Sequence, residues 1–117
     1  MGEIIAYCRE GCPHSIKTAK TLENLKNKYR IKIKYIENNE TIKQSLKNKL
    51  KKIIDNYSTF PIILYKTSKN QLLLIGGNSD LQQLINCVDT IKNKENINNL
   101  DITDNQKRLL YYMFLYK

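Results

Sequence analysis

The segment that most constrains this chain is Gly11-Cys12-Pro13-His14-Ser15, set just after a short apolar run, Ile4-Ile5-Ala6-Tyr7. Residues 3–8 read as a short buried strand. From Pro13 onward the apolar residues recur at helical spacing. Proline suits the first helical position, because its missing N–H has no intrahelical use there and its ring presets φ. Cys12 therefore opens a helix, where the free N–H groups of the first turn concentrate partial positive charge. That setting favours thiolate, the nucleophilic form. An ordinary cysteine titrates near ~8.5, and helix N-termini or nearby cations bring this to ~3.5–7.5.

The rest of the chain alternates strand and helix patterns. Residues 13–28 place Ile16, Ala19, Leu22 and Leu25 on one helical face. Residues 31–37 alternate, with Ile31, Ile33 and Tyr35 against Lys32 and Lys34, which is strand periodicity. Thr41-Ile42-Lys43-Gln44 has the spacing of a capping box. It opens a helix with Ile42, Leu46, Leu50, Ile53 and Ile54 on one side. Pro61 starts a strand, Ile62-Ile63-Leu64-Tyr65, and Ser68-Lys69-Asn70 turns it back as Leu72-Leu73-Leu74-Ile75. Gly76-Gly77 ends this hairpin. Ser79-Asp80-Leu81-Gln82 reads as a second capping box, and its helix runs to about Lys94 with Leu81, Leu84, Ile85 and Val88 inward. The order β-α-β-α-β-β-α predicts an α/β fold with a central four-stranded mixed sheet and helices on both faces. Length predicts one small domain. Its main body spans residues 1–95, and residues 96–117 form an extension after the Asn-rich connector Asn93 to Asn99. In that extension Thr103-Asp104-Asn105-Gln106 caps a helix that is apolar almost all round, so it needs burial on this domain or on a partner.

Charge and cysteine usage narrow the function classes. The net charge is +9 over 117 residues, carried by 17 lysines and only 3 arginines. Lys, Asn and Ile abound together, as A/T-rich codons favour, so part of the basicity follows composition. The lysines are scattered, the nearest approach to a patch being Lys47, Lys49, Lys51 and Lys52. Such a field speeds capture of acidic substrates. Aromatic residues rarely interleave with basic ones before the tail, which argues against nucleic acid as the main partner. The three cysteines, Cys8, Cys12 and Cys87, are odd in number and sparse. They suit a reducing compartment, the cytoplasm, better than a disulfide framework. With one His they lack paired metal-ligand spacing, so no metal is expected. Neither a signal-peptide pattern nor a membrane-length apolar run is present, so no membrane role is expected.

Three motifs together resemble the glutaredoxin family across residues 3–94. Arg9-Glu10-Gly11-Cys12-Pro13-His14-Ser15 is similar to its active-site turn, with a basic residue three before the nucleophile. Thr59-Phe60-Pro61 is similar to its Thr-Val-Pro segment with a cis-proline. Gly76-Gly77-Asn78-Ser79-Asp80 is similar to the Gly-Gly turn that leads into the next helix. The resemblance implies a thioredoxin-like fold, with the C-terminal helix an addition to the usual short core. It also implies glutathione as co-substrate, glutathionylated proteins as partners, and thiol transfer on glutathione mixed disulfides.

On that resemblance Cys12 attacks the mixed disulfide. Ser15 replaces the second cysteine of dithiol members, which leaves a one-cysteine route. Ser15 either hydrogen-bonds the thiolate or is a plain first-turn residue. Arg9 supplies a cation near the thiolate and a glutathione carboxylate. Pro13 and His14 line the ligand. His14 stands where the family usually has an aromatic residue; it stacks, or lowers the Cys12 pKa when protonated, or simply faces solvent. Thr59, Phe60 and Pro61 offer backbone to the ligand as one more strand. Gly77, Asn78, Ser79 and Asp80 receive the γ-glutamyl end, its carboxylate on the helix N-terminus and its ammonium at Asp80. Lys49 or Lys52 are candidates for the glycyl carboxylate. Cys8 is a weaker candidate for a resolving thiol, and Cys87 reads as core. Two other readings remain open. One is an iron–sulfur carrier sharing a cluster through Cys12 and glutathione, which the stiffness of Pro13 disfavours. The other is a redox-inactive interaction module that uses the tail for self-association or partner docking.

Overall fold

The computed structural model describes residues 2–35, 40–50, 61–90 and 97–115. Four strands, β1 (Glu3–Cys8), β2 (Arg30–Tyr35), β3 (Ile62–Lys66) and β4 (Leu72–Gly76), form one sheet in the order β2-β1-β3-β4. β1 and β2 are parallel, so a helix must carry the chain between them; α1 (Pro13–Glu23) does so. β3 runs antiparallel to β1, and β4 antiparallel to β3. The hairpin turn closes through Thr67, whose N–H donates to Gln71 O (2.9 Å) and whose hydroxyl accepts the Gln71 N–H (3.1 Å). Asn70 takes the left-handed φ of 65° that such a turn demands and that Asn tolerates. The mixed sheet flanked by helices is the architecture the alternating pattern predicts.

Period-two alternation along β1 divides the core. Ile4, Ala6 and Cys8 face α1, α3 (Asn78–Thr90) and α4 (Asp104–Leu115), where Leu22, Leu25, Leu81, Leu84, Val88, Leu109, Leu110 and Met113 are buried. Ile5 and Tyr7 face the other way, with Ile62 and Leu64, and α2 (Glu40–Leu50) covers them through Leu46. The apolar face of α4 thus packs on this chain's own core. The Tyr29 hydroxyl reaches across to donate to Met113 O at 3.3 Å.

Several local expectations shift. Leu22 and Leu25 of the expected face are buried, but earlier in α1 Ser15 and Thr18 turn inward while Ile16 is 48% exposed. Polar side chains occupy that buried face because each has a partner there. Ser15 Oγ accepts the Arg9 N–H (3.1 Å), and the Thr18 hydroxyl donates to Asn78 Oδ1 (3.0 Å). Burying a hydroxyl costs little once it is hydrogen-bonded. The helix also stops at Glu23 rather than 28. Tighter i to i+3 bonds follow, Leu25 N–H to Leu22 O and Lys28 N–H to Leu25 O, both 3.0 Å, and they swing Leu25 into the core. Tyr35, expected inward, is exposed at the end of edge strand β2.

Of the three capping boxes, one forms as read. Thr103 Oγ1 accepts the Gln106 N–H (3.2 Å) and Gln106 Oε1 accepts the Thr103 N–H (3.0 Å). The box before α3 sits two residues earlier than expected. Gly77 is the cap, and Asp80 Oδ2 accepts its N–H at 2.9 Å, while Gln82 donates to Thr21 Oγ1 at 2.7 Å. α2 already includes Glu40, so Thr41 is helical rather than a cap. Ile53, Ile54 and the predicted end of α3 near Lys94 lie outside the described residues.

Both sheet edges are guarded. Asn105 Nδ2 of α4 donates to Leu74 O on β4 (2.9 Å). On β2, Arg30 and Lys32 are exposed, and Lys34 Nζ lies 5.7 Å from the centre of the Tyr7 ring. The rotated face of α1 gives a direct test in equilibrium denaturation. Leu22→Ala should cost about 2–5 kcal/mol. Ile16→Ala should stay within about 0.5 kcal/mol, as expected of a surface site. Equal losses would restore the Ile16 face to the core.

Candidate active site

β1 ends at buried Cys8, and the chain then turns through Arg9-Glu10-Gly11-Cys12. The Cys12 N–H donates to Arg9 O (3.3 Å), closing the turn. Its third residue, Gly11, has φ +73°, the region a type II turn requires at that position. A Cβ there would touch nothing within 4 Å, so backbone conformation rather than crowding calls for glycine. Cys12 is the N-cap of α1, with extended backbone (φ −79°, ψ 122°), and Pro13 follows at the first helical position. The Cys12 carbonyl accepts the Ile16 N–H at 2.9 Å, the first bond of the helix.

At this position the partly exposed Cys12 thiol has its pKa lowered. The Ser15 N–H lowers the thiol pKa most. Partial burial opposes it, and the Ser15 hydroxyl, the His14 N–H and the Arg9 charge add to the lowering, in that order. Ser15 is thus used twice: its oxygen accepts from the Arg9 backbone, and its hydroxyl helps lower the Cys12 pKa. The arrangement favours the thiolate, the nucleophilic form of cysteine.

A second wall stands alongside. The β1–β3 register sets Tyr7 opposite Ile62, which brings buried Pro61 level with the end of β1. The Pro61 carbonyl lies 3.9 Å from where a Gly77 Cβ would be. β4 reaches the same end through Gly76, opposite Ile63, after an irregularity between Ile63 and Leu64. Gly76 has φ +121°, and any Cβ on it would strike the Asp80 carboxylate. Only glycine lets Asp80 fold back onto the Gly77 N–H. Thr18 meets Asn78, and Thr21 meets Gln82, so α1 and α3 run side by side in the same direction. Their positive ends therefore point the same way, toward the turn that holds Cys12 and the turn that holds Gly77.

The structure brings Arg9, Cys12, Pro13, His14 and Ser15 to one turn, and Pro61, Gly77, Asn78, Ser79 and Asp80 to the adjacent one. Arg9, Pro13, His14 and Ser79 are exposed, Ser15 is buried, and Asn78 is held by Thr18. Thr59, Phe60, the peptide bond before Pro61, Lys52 and the Lys49 side chain lie outside the described residues. No cysteine is in a disulfide. Cys8 is fully enclosed in the core, out of reach as a resolving thiol in this conformation, and Cys87 is partly buried against the same core. Among the described residues no group of three or more His, Cys, Asp or Glu side chains is arranged to hold a metal ion. Nor is any helix among them long and apolar enough to cross a membrane. Sequence reasoning missed Thr18, whose hydroxyl ties the two helices. A threonine among apolar positions carries no signal of its partner 60 residues away.

Comparison with known proteins places this geometry in a fold class. A scan against protein-family models and a search of curated proteins find no match. Solved structures do match. The crystal structure of glutaredoxin 1 from Francisella tularensis complexed with cacodylate is 20% identical, with a TM-score of 0.53 over 78% of this chain and 100% of that one. The structure of reduced Escherichia coli glutaredoxin is 22% identical, with a TM-score of 0.52 over 72% of this chain and 93% of that one. The chain therefore has the glutaredoxin-like, thioredoxin-type fold, with the C-terminal helix α4 packed on it.

Ser15 gives the site its sharpest test. Ser15→Ala removes the O–H at sulfur and leaves the Arg9 N–H without its acceptor. In iodoacetamide alkylation across pH, the wild-type midpoint should fall below the ordinary thiol value, and the variant midpoint should move upward. An unchanged midpoint would remove Ser15 from the control of the thiol.

Proposed function

We propose that this protein is a glutathione-dependent thiol–disulfide oxidoreductase that acts on glutathione mixed disulfides through Cys12 alone. The observation that carries the reading is a partly exposed thiol at a helix N-cap, its pKa lowered by the first-turn N–H groups and hydroxyl beside it. The fold it shares with glutaredoxins is consistent with that chemistry.

In the first step the Cys12 thiolate attacks the glutathione sulfur of a mixed disulfide. A new S–S bond joins Cys12 to glutathione as the old one breaks, and the substrate thiolate departs to take a proton from water. In the second step a free glutathione thiolate attacks the glutathione sulfur held on Cys12. Glutathione disulfide leaves with Cys12 returned as thiolate, so the substrate has gained two electrons and two glutathiones have lost them. Ser15 holds the thiolate form between turnovers. No second protein thiol is needed, which fits serine at position 15 and an enclosed Cys8.

Recognition of glutathione falls to the second wall. The γ-glutamyl carboxylate suits the N–H groups that open α3 at Asn78 and Ser79. Its ammonium suits Asp80, whose Oδ2 serves Gly77 and whose other oxygen faces the ligand in this reading. Pro61 and the segment before it, Thr59-Phe60, serve as the strand-like backbone partner. Arg9 balances the charge of the peptide, and Pro13 and His14 flank the sulfur.

A deglutathionylation assay with a glutathionylated peptide tests the assignment. Cys12→Ser should abolish turnover, whereas Cys8→Ala should retain it. Ser15→Cys should add reduction of a protein disulfide. Activity that survives Cys12→Ser would overturn the proposal.

A further inference from the structure

The C-terminal helix carries a feature that thiol chemistry does not use. A cleft of about 350 Å³ opens between α4 and the residues just before it, lined by Ile97, Asn98, Lys107, Arg108, Tyr111 and Tyr112. The volume lies at the lower end of the range for small-molecule sites, room for one compact ligand. Lys107 and Arg108 lie one helical turn before Tyr111 and Tyr112, so cations and rings share one side of α4 with an offset of about 6 Å. The two tyrosine rings meet edge to face, with centroids 5.9 Å apart and planes at 79°. Tyr111 is 42% exposed, while its neighbours Leu109 and Leu110 are fully enclosed. Lys107 Nζ is steadied by Asn98 O at 3.3 Å. Arg108 is exposed, and among the described residues no carboxylate pairs with it, although Asp104 lies one turn away on the same helix.

A cleft with cations at one end, tyrosine rings at the other and an apolar floor at Ile97 suits a ligand of matching polarity: a planar ring joined by a short spacer to an anion. Inorganic anions would leave the rings unused, and a neutral aromatic would leave the guanidinium unused. Dinucleotides exceed the volume. We propose that this cleft binds a nucleoside monophosphate, the base against Tyr111 and the phosphate at Arg108 and Lys107. A ring face accepts any base by stacking, and a guanidinium fork matches phosphate oxygens. The site is independent of Cys12 and of the glutathione reading.

Calorimetric titration of the full chain with AMP, adenosine and inorganic phosphate at two salt concentrations tests the assignment. AMP should bind saturably, at least about tenfold tighter than adenosine or phosphate, and more weakly at high salt. Tyr111→Ala should weaken AMP by about fivefold or more, the lower end of base–aromatic stacking, and Arg108→Gln by a similar factor. Both variants should keep the wild-type circular dichroism spectrum and Cys12 alkylation rate, because neither residue lies in the thiol site. A short single-stranded oligonucleotide that binds tighter than AMP, with the same loss in both variants, would identify the nucleotide as one within a strand. Equal affinity for AMP and inorganic phosphate would overturn the proposal by assigning the effect to the general positive field. So would AMP binding indifferent to both substitutions, or no saturable binding at millimolar AMP.

Discussion

The placement of the Cys12 turn depends on one hydroxyl. Ser15 Oγ accepts the Arg9 N–H and so joins the end of β1 to the first turn of α1, and the same hydroxyl helps lower the Cys12 pKa. A neutral hydrogen bond of this kind contributes only about 0.5–1.5 kcal/mol to the fold. Its larger effect is positional. It acts together with the Cys12 N–H to Arg9 O bond at 3.3 Å and the left-handed Gly11, which shape the same turn. The same hydroxyl explains why α1 turns a polar face inward and leaves Ile16 outside.

The four-stranded mixed sheet was legible, though not its strand order, because β1, β3 and β4 are apolar runs bounded by Gly, Pro and Asn. Periodicity of two fixes which side chains share a face, and the four-strand alternation leaves few topologies. Cys12 as N-cap and Pro13 after it were equally legible, because that signal is local. What failed was also local in appearance but tertiary in cause. Ile16 reads as core by spacing alone, yet Ser15 and Thr18 take the buried positions because Arg9 N–H and Asn78 Oδ1 lie opposite them. Ser79 reads as a cap by its residue type, yet the φ of Gly76 and its lack of a Cβ allow Asp80 to cap Gly77 instead. Tyr35 follows the strand alternation, but β2 is an edge strand with no neighbour beyond it to bury a ring.

The chain divides its chemistry along its length. The Cys12 turn and the Gly77 turn gather at one end of the sheet, where β1 and β4 finish and β3 begins. α4 packs on the α3 side of the core through Leu109, Leu110 and Met113 and leaves Arg108 and Tyr111 outward. Among the described side chains of the apolar run that marked this helix in the sequence, Leu109, Leu110 and Met113 are buried within the molecule.

Asn105 has a consequence for life in a crowded solution. A sheet whose outermost strand offers its carbonyls to water is a template on which another chain can grow. Here the Leu74 carbonyl on that margin is already occupied from within, by a side chain delivered by α4, and the opposite margin bristles with Arg30, Lys32 and Lys34. Two copies meeting side by side encounter a blocked acceptor at one rim and mutual repulsion at the other. The C-terminal helix thereby takes up one of the acceptors through which that margin would pair with a further strand.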